Sequence, residues 1–347
     1  MARVMAVPSL PSYLATPQAQ CPSIELCRSE IQLAERSARQ WRTEFSQKNG
    51  SSVANGVQSA SLWIVNGTTE ATHRGSHCMT LEACQEHWKA AQLSLLLWRR
   101  AAGMLSCLRT NSGPTGGFCQ FIATVRKKTN ECIAKRLAAE LTDLFADSSV
   151  LDVGCGLGQY GDFFANRSSS VRWLGVDGSE GIEDFTRGRV RFADLAEGIP
   201  PALARLGPWD WTMSLEVGEH VPTLGEPMFM HNLIAHARKG VILSWAAPFQ
   251  GGRNHVNCQP EAYVKCALYQ LGMASDDELE KRLRATVPKS PKNSPAAARE
   301  CSWLRRTLMA FRPRPGAERR AADAGPMPLA QYEEQVARAC NRTKHHC

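Results

Sequence analysis

Three glycines recur two residues apart in Asp152-Val-Gly154-Cys155-Gly156-Leu-Gly158. They follow a short apolar run, Val150–Val153, and precede a segment with helical character from Tyr160. Glycine lets a backbone turn sharply and approach a ligand closely, and the start of the following helix offers unpaired N–H groups. Asp152 stands two residues before the first glycine. A carboxylate there suits a cationic ligand and would repel a pyrophosphate. Asp177, followed by Gly178, ends a second apolar run nineteen residues after Gly158, where a carboxylate can accept hydrogen bonds from a sugar diol. Asp194-Leu195 follows the next run, and Asp194 also reads as an ordinary turn residue. Cys155 has no base near it in sequence, and small residues suit such a turn, so it reads as packing.

A second group lies after the run Trp209–Leu215. If Ser214-Leu215-Glu216-Val-Gly-Glu219-His220 is helical, Glu216, Glu219 and His220 share one face. With His255, in Gln250-Gly-Gly-Arg-Asn-His255-Val-Asn257, they offer two carboxylates and two imidazoles to a divalent cation. His220 or His255 could instead take a proton from an acceptor, supported by Glu216 and Glu219. A plainer reading also stands: Glu216 lines a pocket while Glu219 and His220 pair locally. His73, His77, Cys78, Cys84 and His87 lack the paired spacing of a zinc site. Trp209, Trp211 and Trp245 read as core or pocket walls, and Lys344-His-His-Cys347 as a solvated tail.

These residues need elements to hold them. Val150–Val153, Val171–Val176, a third edge reached by Phe192, Trp209–Leu215 and Gly240–Trp245 read as strands. Helices are expected at Thr129–Ala146, Tyr160–Ala165 and Met228–Arg238. Strands alternating with helices at this interval predict an α/β, Rossmann-like, doubly wound and mostly parallel sheet. In such a sheet both groups emerge at the carboxyl edge of the strands. Four regions are expected: a disordered stretch at 1–22, a helical extension at 23–119 with Thr80 capping one helix, the catalytic α/β domain at 120–275, and a basic, partly disordered region at 276–347. Within the last, helices are expected at Asp276–Arg284 and Leu329–Ala339.

The 347 residues are 43% hydrophobic, enough for a full core, and carry a net charge of +8. Positions 150–260 hold nine Lys/Arg against twelve Asp/Glu, so the basic excess lies in the flanks. That suits a solvated surface or an anionic partner such as nucleic acid, with nothing specific to favour the latter. Leu93–Trp98 is stopped by Arg99 and Arg100, well short of a membrane span. The N-terminus lacks the continuous apolar stretch of a secretion leader, and a cytoplasmic protein is expected. Thirteen scattered cysteines then read as mostly free, buried thiols. Asn-x-Ser/Thr sequons at Asn49, Asn66, Asn166 and Asn341 mean little in that setting.

Taken together, Asp152–Gly158, Asp177 and Asp194 resemble the class I, seven-stranded methyltransferases that use S-adenosylmethionine (SAM). The resemblance spans about residues 145–260. It implies a loop for the methionine part, Asp177 and Gly178 for the ribose, Asp194 and Leu195 for the adenine, and Leu215 and Glu216 along the pocket. It also implies a terminal antiparallel hairpin, which is hard to see after Pro260. The Glu-x-x-Glu-His stretch is similar to that of ubiquinone-biosynthesis and small-RNA O-methyltransferases, which implies an oxygen acceptor, small molecule or polymer, near a magnesium ion. Two other classes stay open: a non-catalytic binding module on the same fold, and an NAD-linked oxidoreductase, whose usual Gly-x-Gly-x-x-Gly spacing differs from this one.

Overall fold

A computed structural model describes residues 80–91, 119, 132–199, 203, 206–252, 254–289, 301–317 and 325–342, with Glu25, Arg28 and Gln32. The expected disorder of 1–22 and most of the expected extension at 23–119 lie outside the described residues. The chain divides into two units, Met1–Leu105 and Ser106–Cys347. In the first, residues 81–91 are helical. The Thr80 hydroxyl accepts the Ala83 N–H at 3.2 Å, satisfying one of the free donors of that helix's first turn.

The second unit is an α/β layer structure. Its strands are β1 (Ser149–Val153), β2 (Arg172–Asp177), β3 (Val190–Phe192), β4 (Trp209–Leu215), β5 (Ala237–Ser244), β6 (Met273–Ser275) and β7 (Leu308–Pro313). Its helices are α1 (Lys135–Leu144), α2 (Gln159–Arg167), α3 (Ile182–Phe185), α4 (Glu226–Ile234), α5 (Glu261–Gln270), α6 (Asp277–Thr286), α7 (Leu304–Thr307) and α8 (Leu329–Tyr332). The sheet runs β3-β2-β1-β4-β5-β7-β6. β1 to β5 pair in parallel, while β7 pairs antiparallel with both β5 and β6. This is a seven-stranded, mostly parallel, Rossmann-like sheet, as the sequence leads one to expect.

The two faces of the sheet follow the two-residue period of its strands. Leu151, Val153, Val241 and Leu243 pack toward α4 and α5, with Tyr332 and Val336 in the same core. Val150, Ile242, Leu308 and Ala310 pack into the other core, with Leu137 and Leu141 of α1, Phe164 of α2 and Leu279 and Leu283 of α6. Both faces are covered, so the central strands read as continuous apolar runs instead of alternating ones. Phe145 meets Phe164 edge-on at 5.7 Å between ring centroids, which fastens α1 and α2 together.

The structure corrects several expectations. The sheet does not end at 275. β7, from the region expected to be a basic helical or disordered tail, is inserted between β5 and β6. More than thirty residues, including α6 and α7, separate β6 from β7, so no hairpin signature marks the pair in sequence. The helix expected at 228–238 is α4, which starts earlier, with Pro227 in its first turn, and ends at Ile234. β5 begins at Ala237 because the Trp209 N–H already pairs with the His236 carbonyl at 3.0 Å.

The reading of free thiols is also overturned. Cys132 is bonded to Cys301 and Cys266 to Cys340. Cys84, Cys119 and Cys258 are also disulfide-bonded. Among the described residues only Cys155 is a free thiol. No helix of the described residues is long and apolar enough to cross a membrane.

Candidate functional site

The glycine loop leaves β1 at its carboxyl end. The N–H groups of Gly154 and Cys155 both donate to the Val176 carbonyl, at 2.8 and 3.1 Å, tying the loop to the end of β2. Gly154 has φ +80°, and a Cβ there would lie 2.5 Å from a Val217 methyl. Gly158 has φ +81° and caps α2, and a Cβ there would lie 2.9 Å from the Trp173 ring. Both positions therefore need glycine for conformation and for space.

Asp177 closes the loop. Its Oδ2 accepts the Gly156 N–H at 2.8 Å, and its Oδ1 accepts the Ser179 N–H and hydroxyl at 2.8 and 2.6 Å. Burial pushes its pKa up, against those three bonds. Asp152 lies opposite Gly175 in the β1–β2 ladder and accepts the Trp173 indole N–H at 3.1 Å. Burial, opposed by that bond and reinforced by the charge of Asp177, raises its pKa to about 7. Two buried acids thus converge on one loop, an arrangement that favours a cation. The Cys155 thiol is pushed up, chiefly by burial and then by both acids, which keeps it protonated and a poor nucleophile.

Asp194 is buried after β3 and accepts the Ala196 N–H at 3.0 Å. The Leu195 carbonyl accepts from Asn232 of α4 at 3.1 Å. Gly178 lies close by: a Cβ there would approach the Ala193 carbonyl oxygen at 3.4 Å. The loop, the end of β2 and the turn after β3 therefore stand side by side along the carboxyl edge.

The second group is partly assembled, and not on a helix face. Glu216, after Leu215 at the end of β4, has φ +57°. It turns the chain into a short 3-10 segment, Gly218–His220. A carboxylate oxygen of Glu219, a nitrogen of His220 and a nitrogen of His255 all lie within 4.8 Å of one another. Glu216 is not among them. Its carboxylate accepts the Thr307 hydroxyl and the Gln250 amide, both at 3.0 Å, which corrects the expectation that it shares a metal set with the other three.

Glu219 is fully buried, and neither of its carboxylate oxygens has a hydrogen-bond partner. His255 Nε2 is 3.9 Å from its Oε1. Burial pushes the Glu219 pKa up, and the nearby charge of Glu216 adds to this. His220 is driven down to about 4 by burial and by His255, so its ring is neutral near pH 7. Its Nδ1 lies 3.2 Å from the Asn254 carbonyl oxygen, which accepts that N–H. An imidazole so weakly basic suits a ligand better than a general base. An uncompensated buried carboxylate beside two neutral imidazoles is the donor set of a divalent cation.

Sequence reasoning missed what holds this group. Val256 and Asn257 donate their N–H groups to the Glu219 carbonyl at 2.8 and 2.9 Å, strapping the His255 loop onto the 3-10 segment. Asn257 donates its amide to Glu226 Oε2 at 2.8 Å. Glu226 Oε1 accepts the hydroxyls of Tyr263 and Tyr332. Cys258 Sγ is 3.5 Å from His255 Nδ1. Trp173, whose ring is cradled by Gly158, Gly161 and Gly175, was likewise unmarked. The glycines at 161 and 175, in a helix and a strand that would otherwise carry side chains, were the available signal.

No protein-family profile and no curated protein matches the chain. Among solved structures, magnesium protoporphyrin IX methyltransferase from Synechocystis PCC 6803 with bound SAM is 16% identical, over 62% of this chain and 93% of that one, at TM-score 0.33. Small RNA methyltransferase HEN1 is 15% identical, over 54% of this chain and 26% of that one, at TM-score 0.38. A 1,6-didemethyltoxoflavin-N1-methyltransferase from Burkholderia thailandensis is 16% identical, over 64% of this chain and 89% of that one, at TM-score 0.32. At those scores the likenesses carry no weight of their own. The strand order, with β7 antiparallel, and the glycine loop at the end of β1 define a seven-stranded, Rossmann-like α/β fold.

Proposed function

We propose that this protein is a SAM-dependent methyltransferase acting on an oxygen acceptor, with a divalent cation, Mg2+ by ligand type, held by Glu219, His220 and His255. The observation that carries the reading is the pair of buried acids, Asp152 and Asp177, closing a glycine loop at the carboxyl edge of β1 and β2. SAM, when bound, brings a methyl group already activated on a sulfonium. The chain then has to bind, orient and exclude water. Asp152 favours the cationic methionyl end. Asp177 fixes the loop through Gly156 and offers its remaining acceptor capacity to the ribose. Gly178, Asp194 and Leu195 form the wall expected to face the adenine, and Leu215 continues the pocket floor.

Glu219, His220 and His255 fit a cation because the carboxylate oxygens are buried without partners and both rings are neutral. A divalent ion there would lower the pKa of an acceptor hydroxyl. Glu216, tied to Thr307 and Gln250, holds the turn that presents them.

Calorimetric titration tests the reading. SAM should bind the parent, and Asp177→Ala should lose at least tenfold in affinity. Equal affinity in the two proteins, or preferential binding of NADH, would refute it. Removing divalent ions, or Glu219→Gln, should lower methyl transfer to hydroxyl acceptors and leave SAM affinity within twofold. If transfer is unchanged, the cation assignment fails while the methyltransferase reading stands.

A further inference from the structure

Seven of the eight described cysteines are in disulfides, and the eighth, Cys155, is half-buried in the glycine loop. Cys132–Cys301 joins the entry to α1 to the approach to β7, across 169 residues of sequence. Cys266–Cys340 clasps α5 to the segment after α8, across 74. These bridges anchor the parts of the chain that complete the sheet late. Disulfides in that proportion belong to an oxidising compartment, because cytosolic thiols are kept reduced.

The asparagines of two sequons lie among the described residues, and both are exposed. Asn166-Arg167-Ser168 is in the last turn of α2 and its cap. Asn341, the first residue of Asn341-Arg342-Thr343, follows bridged Cys340 at a chain reversal with φ +58°. Asn166 stands eight residues from Gly158, about 12 Å along the helix axis, so a glycan there leaves the loop open.

We propose that the chain matures in an oxidising lumen of the secretory pathway and carries N-linked glycans on Asn166 and Asn341. This replaces the expectation of a cytoplasmic protein. At each site the side-chain Nδ2 forms a bond to the anomeric carbon of a lipid-diphosphate-linked oligosaccharide. The carbon–oxygen bond to the diphosphate breaks, the carrier leaves with that electron pair, and the amide loses one proton. Each bridge forms as two thiols pass two electrons and two protons to the disulfide of a thiol–disulfide oxidoreductase, which is reduced in turn. Cys155 is spared because its half-buried thiol is held protonated beside two acids.

The full chain should be expressed in eukaryotic cells in two forms, as it stands and behind a cleavable secretion leader. In the lumen-directed form, peptide-N-glycosidase should increase gel mobility. N166Q and N341Q should each remove one mobility step, beyond any due to Asn49 and Asn66. Of the eight described cysteines, alkylation of the unfolded chain before reduction should label only Cys155. A form left in the cytosol with alkylatable thiols should melt lower and be digested faster by protease. The proposal is overturned if the lumenal chain carries no glycan at either asparagine. It is also overturned if a fully thiol-reactive cytosolic chain is as stable and protease-resistant as the lumenal one. SAM titration of both forms keeps this outcome separate from the catalytic reading.

Discussion

Asp152→Asn should make the unliganded protein more stable and less able to bind its cofactor. The carboxyl titrates near 7 in the folded chain against an ordinary 3.8. That difference corresponds to a cost of roughly 4 kcal/mol for holding it ionised in the fold. The sign follows from proton linkage. The folded state binds the extra proton between the two values, so stability is undiminished below the unfolded pKa, falls as pH rises through the interval, and levels off above the folded pKa. Between about pH 5 and about pH 8 the parent should lose roughly 2–3 kcal/mol through this group. Asn keeps an oxygen that can accept the Trp173 N–H, so the indole contact survives the change and the variant should not show that loss. Urea melts at the two pH values, without ligand, read the difference directly. A cationic ligand beside Asp152 should offset the cost of ionising it, so SAM affinity in the parent should tighten as pH approaches 7 and then flatten. Identical pH slopes for parent and variant would refute the reasoning, because the carboxyl would then be paired or solvated in the folded state.

Gly158→Ala must place a side chain at positive φ and against Trp173; a loss of about 1–2 kcal/mol from the backbone alone is expected, with weakened SAM binding by calorimetry. Tyr332→Phe removes a hydroxyl from buried Glu226 and should cost about 1–2 kcal/mol in a denaturant melt, with a small fall in turnover through Asn257. Replacing Cys266 and Cys340 together by serine opens a loop of 74 residues of separation. By loop entropy the bridge contributes roughly 4 kcal/mol, and a thermal scan should show the melting temperature fall accordingly.

The central sheet was legible because β1, β2 and β4 are short apolar runs spaced by helices, a period that few other folds produce. The convergence of Asp152 and Asp177 on the glycine loop was legible because both stand at strand ends beside glycines. β6 and β7 were not, because β6 has three residues and β7 follows a long polar, Pro-containing stretch. The antiparallel pairing that makes them a unit leaves no local turn signal. Of the acid–imidazole group read from the sequence, Glu219, His220 and His255 come together while Glu216 stands apart, and the backbone that carries them is a 3-10 segment, not a helix. The left-handed turn at Glu216 is set by Ser244, which accepts its N–H at 2.8 Å, a tertiary contact with no trace in local propensity. The bridges escaped for the same reason. Cys132 and Cys301 are far apart in sequence, and only the completed sheet brings them together.

The four residues from His255 to Cys258 combine an imidazole of the acid group, a two-bond strap to the Glu219 carbonyl and a half-cystine. Catalytic readiness and the electron balance of the surroundings therefore meet in one short stretch of chain. A reductant added to protect a preparation would release that stretch while the parallel strands stay paired, and under the proposed function methyl transfer would fall without loss of secondary structure.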